Sequence, residues 1–255
     1  VIAALGSILL GIVAIISLKL NIKPGAYIFD AVVSDGMTTF FRVFFCLGAI
    51  ISLGLMTSKF KEESEPHLLI ISSVAGMMIL AAANDIVTLF VAFELVSIPS
   101  YILAGYKRSD VKSAEAALKY VLFGAVSSGL MLYGFSLLYG IAGSTNIPEM
   151  AANLALNHGN QLPQMIGSVF VIAGLGYKLA MVPMHFWCPD VYEGSPTPVT
   201  AYFSVLPKAA GFAALLRIMP LLTTFEPTFR VSTVGILTML AAITMTFGNL
   251  GAIWQ

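Results

Sequence analysis

LLIISSVAGMMILAAANDIVTLFVAFELVSIPSYILAGY, residues 68–106, holds two long apolar runs separated by only Asn84 and Asp85. Asn and Asp favour turns and cannot sit cheaply in hydrocarbon, so the stretch reads as two helices folded back in a tight hairpin. A bilayer-spanning helix needs about 20 mostly apolar residues. Working outward, polar interruptions cut the chain into eight such stretches: 1–20, 39–57, 68–83, 86–106, 114–142, 165–184, 199–222 and 231–254. Composition agrees, since 58% hydrophobic and 10% charged residues lie outside the range of a soluble domain. A transmembrane barrel would alternate apolar and polar residues over segments of about 10, and no part of the chain does so. The expected fold class is therefore all-α, a polytopic membrane protein of about eight transmembrane helices.

The formal net charge is zero, which leaves no basic surface for nucleic acid and no acidic tail. Cys46 and Cys188 stand far apart, with no Cys-x-x-Cys pair and no helical His pair. Nothing in that pattern suits an iron–sulfur cluster or a haem, so no cofactor is expected on this chain. His185, Cys188, Asp190 and Glu193 show no metal-ligand spacing, and no metal is expected either. The chain opens at Val1 directly in an apolar run, unlike a signal peptide, and stops at Gln255 as a span finishes, which reads as an internal stretch of a longer polytopic protein. Lys and Arg divide evenly between the two sides: Lys59, Lys61, Lys107, Arg108 and Lys112 against Lys19, Lys23, Arg42, Arg217 and Arg230. The cluster KRSDVK at 107–112 weakly favours the cytoplasmic side for its loop, and the loop 143–164, without Lys or Arg, the opposite side.

Three ionisable side chains lie deep inside apolar runs: Glu94 in the stretch above, Lys178 in AGLGYKLAMVP (173–183) and Lys208 in FSVLPKAAGF (203–212). A charge at the centre of a spanning helix costs about 2.5–3.5 kcal/mol, while each Leu or Ile returns about 0.3–0.6 kcal/mol. Such a charge faces protein, a partner or water rather than lipid, and marks an ion or proton pathway by default. The bland alternative for Glu94 is a structural ion pair. Each of the three has a proline within five residues, Pro99, Pro183 and Pro207. Proline frees the carbonyl four residues earlier, here those of Leu95, Leu179 and Phe203, so each charge is expected beside a helix break of the kind found in transporters.

Between the two lysines, HFWCPDVYEGSPTPVTAYF (185–203) is rich in proline and is expected to be rigid and turn-forming. His185 fits a proton relay and an interfacial packing residue beside Phe186 and Trp187 equally well. Lys119, a few residues inside its helix, fits a snorkelling lysine and a functional one equally. Asp85, Asp110 and Glu115 read as solvated loop or helix-start residues. Gly124, Ser127, Ser128, Gly129 and Gly134 form a small-residue face suited to helix packing.

FELVSIPSYILAGY (93–106), AALKYVLFGAVSSGLMLYGFSLLYGIAGSTNI (116–147), GYKLAMVPMHFWCPDVYEGSPTPVTAYFSVLPKAAGF (176–212) and FGNLGAIWQ (247–255) together resemble the antiporter-like subunits of respiratory complex I. Within that family the chain is most similar to the subunit N branch, called subunit 2 in chloroplast and cyanobacterial complexes. The resemblance implies a fourteen-helix proton-pumping subunit built from two inverted five-helix repeats, of which this chain holds the second to ninth helices. The implied division is 1–66 for the first helices and a cytoplasmic-side linker, 67–222 for the first repeat with a broken helix near Pro183, and 223–255 for the start of the second repeat. The implied relay is Glu94, Lys119, Lys178 and Lys208, with His185 as a further candidate, and separation of Glu94 from Lys119 driving proton transfer from Lys178 to Lys208.

The implied activity is that of a translocase subunit of NADH (or NAD(P)H or ferredoxin):quinone oxidoreductase, without redox chemistry on this chain. FMN, Fe-S clusters and quinone would belong to other subunits. Other membrane-arm subunits and the lipid bilayer would be its partners, in the bacterial inner membrane or a thylakoid membrane. Two alternatives accompany this reading. One is a subunit of a multisubunit sodium/proton antiporter or membrane-bound hydrogenase; the other is a structural membrane-arm subunit whose charges only pair.

Overall fold

The structure, a computed structural model, describes residues 2–19, 25–61, 63–107, 109–156, 161–223 and 227–254. Lys23, Arg108 and positions 157–160 of the loop expected at 143–164 lie outside them. The elements in chain order are α1 (Ile2–Lys19), β1 (Gly25–Tyr27), β2 (Val32–Ser34), α2 (Gly36–Lys59), α3 (Glu65–Ala82), α4 (Ile86–Ala104), α5 (Val111–Ala142), α6 (Ile147–Leu156), α7 (Gln161–Leu179), α8 (Trp187–Gly194), α9 (Thr197–Thr223) and α10 (Pro227–Trp254). Among the described residues eight of these helices are long and apolar enough to cross a membrane: all but α6 and α8. The all-α polytopic expectation holds, with each boundary within a few residues of the hydropathy reading except at the end of α7.

The Asn84–Asp85 hairpin forms as its composition dictates. Asp85 caps α4, its carboxylate accepting from the Val87 and Thr88 N–H groups at 2.8 and 3.1 Å, and so satisfies donors that the first helical turn leaves open. Asp35 and Asp110 cap α2 and α5 in the same way. Two small elements escape the hydropathy reading. The strands β1 and β2 pair antiparallel, Ala26 opposite Val33, and dock on the α3–α4 turn through Asn84 N–H to Ala31 O at 2.9 Å. Within the expected loop, α6 packs Met150 and Leu154 into the core and is held by Asn153 Nδ2 donating to Ala142 O.

Helices α5 and α7 pack backbone against backbone. A Cβ on Gly134 would stand 2.6 Å from the Gly167 carbonyl oxygen, so only glycine permits that spacing. Gly124 likewise receives the Tyr101 ring, whereas Gly129 faces open space, so the small-residue face serves packing at two of its three glycines.

Prolines behave unequally. α4 runs uninterrupted through Pro99, and α9 through Pro207 and Pro220, which corrects the expectation of a break beside each of Glu94 and Lys208. Serine hydroxyls near these prolines bond to the turn before them, Ser97 and Ser100 donating to Phe93 O and Val96 O and Ser204 to Ala201 O, but not to the Leu95 and Phe203 carbonyls that Pro99 and Pro207 free. With Pro99 and Pro207 both buried against neighbouring helices, packing holds the helices together through the proline turns. A break does occur before Pro183: the sixth span ends as α7 at Leu179, and α8 begins beyond the break at Trp187. α7 ends in a two-bond cap, Met181 N–H to Gly176 O at 2.8 Å and Ala180 N–H to Tyr177 O at 3.0 Å, with Ala180 in the left-handed region at φ 54°. Trp187 Nε1 closes the gap by donating to the same Tyr177 carbonyl at 3.0 Å. α8 then runs along α5 until Gly194, where a Cβ would meet the Lys112 carbonyl at 2.5 Å.

Candidate functional site

Lys178 occupies the last turn of α7, where unpaired carbonyls favour positive charge. Its side chain is 2% exposed. Nζ donates to Ser97 Oγ on α4 at 2.8 Å and stands 5.0 Å from the centre of the Phe93 ring. Glu94 lies one helical turn before Ser97, and its carboxylate accepts from the Ser128 hydroxyl on α5. Glu94 and Lys178 therefore share one interior region of α4, α5 and α7, with no ion pair within 4.0 Å between them among the described residues.

Lys208 sits one turn before Gly211, whose Cα would carry a Cβ 3.5 Å from the stem of Lys178. Lys178 thus packs on α9 one turn beyond Lys208. Lys208 Nζ lies 4.0 Å from Cys188 Sγ and 5.6 Å from the centre of the Tyr192 ring, both on α8. His185, half-buried in the break, has its ring 5.0 Å from Phe186 and 6.1 Å from Phe247 on α10, and its Nδ1 has no hydrogen-bond partner among the described residues. The break is tied to α10 by Val182 N–H donating to Thr244 Oγ1 at 3.0 Å.

Lys119 lies at the rim of the bundle. It pairs with Glu115 at 2.6 Å and with Asp190 of α8 at 2.5 Å, and its side chain is 35% exposed. The structure holds it apart from Glu94. Glu94 meets α5 at Ser128, nine residues beyond Lys119, or about 13 Å along the helix axis. The inward position beside Lys119 is filled by Tyr120, stacked on Trp187 at 4.6 Å and packed on Tyr101 at 4.9 Å and Phe203 at 5.5 Å. That aromatic cluster separates the rim pair from the interior group. Glu115, expected as solvated structure, is thus an ion-pair partner.

Residues 83–255 match the family model described as NADH:quinone oxidoreductase/Mrp antiporter, TM. The chain belongs to this family. It is 43% identical over 244 residues to NADH-quinone oxidoreductase subunit N of Chlorobium chlorochromatii, covering 91% of this chain and 48% of that protein. A chain of respiratory complex I from Thermus thermophilus superposes over 100% of this chain and 53% of its own length, with a TM-score of 0.83 and 33% identity. A chain of an archaeal membrane-bound sulfane sulfur reductase shares the fold, with a TM-score of 0.80 and 24% identity over 99% of this chain and 53% of that one. The chain spans about half the length of the relatives it matches.

In this antiporter-family chain the sequence reading missed the residues that hold the charges in place. Ser97, Ser128 and Asp190 are the direct partners of Lys178, Glu94 and Lys119. Serine carries little cost inside a span, so hydropathy gives it no signal. Its helical spacing from Glu94, three residues, was the available clue.

Proposed function

We propose that this chain is a proton-translocating membrane-arm subunit of an NADH (or NAD(P)H or ferredoxin):quinone oxidoreductase. Protons move through a buried relay of Glu94, Lys178 and Lys208, with Lys119 at the rim and His185 in the break as points of exchange with water. The observation that carries this reading is Lys178 itself: a buried lysine in the last turn of α7, beside a helix break and in the same interior region as Glu94. In a low dielectric a carboxylate and an ammonium stabilise each other's charged forms, whereas desolvation and like charge favour neutral lysine. A change in the separation of Glu94 and Lys178 therefore decides whether Lys178 holds its proton or passes it toward Lys208.

Electron transfer belongs to other subunits in this reading, and no cofactor binds here. The partners are the other membrane-arm subunits and the bilayer of the bacterial inner membrane or thylakoid. Residues 67–222 form the first antiporter-like repeat, 1–66 the helices and linker before it, and 223–255 the start of the second. The test is Glu94→Gln in the parent complex in sealed vesicles. Protons moved per electron should fall while quinone reduction by the solubilised complex persists; an unchanged ratio would favour a scaffold with paired charges.

A further inference from the structure

We propose that Ser97 is a positioning residue for Lys178: its hydroxyl holds the lysine ammonium near Glu94 without a direct ion pair and sets how firmly Lys178 keeps its proton. This rests on the reading of Lys178 as a proton carrier and deepens it. An ammonium has three N–H donors and no acceptor. Among the described residues, the hydrogen bond made by Lys178 Nζ goes to Ser97 Oγ, with the Phe93 ring as its other polar contact. Ser97 Oγ donates its own hydrogen to Phe93 O at 2.8 Å. Its one proton is thereby held within α4, and its lone pairs remain for the lysine. A hydroxyl fixed as an acceptor favours the charged lysine over the neutral amine.

Ser97 is fully buried, so bulk water does not compete for its oxygen. Its place on α4 adds a geometric consequence. Glu94 is one turn away and engaged by Ser128, so the serine keeps the ammonium beside the carboxylate rather than on it. A buried ion pair in direct contact resists separation strongly, because each partner would be left as an uncompensated charge. A lysine held by a hydroxyl gives up its proton more readily. Besides Lys112, Glu115 and Lys119 on α5, Asp190 and Glu193 on α8 and Arg217 on α9, which are engaged in ion pairs, and the exposed Tyr133 and Tyr139 on α5, the titratable or charged groups that remain on the surrounding elements are Glu94 and Tyr101 on α4, Tyr120 on α5, Tyr177 on α7, Lys208 and Tyr202 on α9, and Cys188 and Tyr192 on α8, with His185 in the break. Of this remaining set, Glu94 alone has a carboxyl group.

The test is the pH profile of proton pumping by the intact parent complex in sealed vesicles, with electron transfer followed in parallel, for Ser97→Ala, Ser97→Thr and Lys178→Ala. Removal of the acceptor weakens the charged form, so Lys178 loses its proton at lower pH. The alkaline limb of the Ser97→Ala profile should move down by about one pH unit, and Ser97→Thr, which keeps the hydroxyl, should restore it. A Ser97→Ala profile that overlies wild type, or a Ser97→Thr profile displaced as far as that of Ser97→Ala, overturns the assignment. If Ser97→Ala does not assemble, Ser97→Cys, similar in size with a weaker acceptor, is read by the same displacement. Pumping retained in Lys178→Ala defeats the relay itself, whereas pumping lost there with no Ser97 effect defeats only the role of Ser97.

Discussion

Arg217 shows how a single charged residue is retained in this apolar chain. Its guanidinium, 13% exposed at the side chain, donates to both carboxylate oxygens of Asp35 at 2.7 and 3.0 Å, to Thr38 Oγ1 at 2.5 Å and to the Ala81 carbonyl at 2.7 Å. One side chain of α9 thereby ties the start of α2 to the end of α3, in the planar two-pronged geometry that only arginine offers. Burial by itself would raise the Asp35 carboxyl, but hydrogen bonds from Arg217 and Thr38 and the guanidinium charge outweigh it and hold the group below its ordinary value of 3.8. A depressed folded-state value stabilises the fold above 3.8 and is lost as pH falls through the lowered value. Thermal stability of the detergent-solubilised protein should therefore drop below about pH 4. In Asp35→Asn the stability at neutral pH should be lower and that acid drop smaller. An acid drop of equal size in the variant would place the titrating group elsewhere. The sequence offered Arg217 only as a charge at a span end, because its partner lies 182 positions away.

At the scale of elements, the break between α7 and α8 is the feature that sets the site. It places the final carbonyls of α7 and the Lys178 ammonium inside the bundle, while α8 returns along α5 to the rim. Its cap has an alanine where glycine is the common choice, Ala180 at φ 54°. A Cβ in the left-handed region costs about 1–2 kcal/mol, partly offset in glycine by greater freedom of the unfolded chain. Ala180→Gly should thus raise stability by about 0.5–1 kcal/mol, and Ala180→Val should lower it, both read from thermal unfolding. Equal stability of the two variants would mean that the cap does not hold the break in place. Pro183 signalled this break in the sequence. Pro99 and Pro207 gave the same signal and no break, because both are buried against neighbouring helices that hold those turns together. What separates the cases is tertiary context, which proline spacing does not encode.

For the whole molecule, the eight spans were legible because bilayer thickness imposes a length and hydropathy imposes a composition. The short α6 and the β1–β2 hairpin were not, since a window of about 20 residues averages over ten-residue and three-residue elements. Glu94, Lys178 and Lys208 stood out in the sequence by their cost in hydrocarbon, and the structure brings the first two into one interior region and packs Lys178 on α9 one turn beyond Lys208, whose ammonium meets α8. Lys119 was legible only as a charge near a helix start; its pairing with Asp190 depends on the return of α8, which follows from the break. The resulting architecture is a bundle with a buried carboxylate, a buried lysine beside a discontinuity, and a second lysine on the adjoining helix.

In the proposed relay Lys178 is the proton carrier. Its most direct test is the number of protons moved per electron by the parent complex in sealed vesicles, wild type against Lys178→Ala, with assembly and quinone reduction followed in the same preparations. The expected result is an assembled, electron-transferring complex whose proton-to-electron ratio falls clearly below wild type. An assembled Lys178→Ala complex with the wild-type ratio would contradict it and leave the buried charges with a purely structural role.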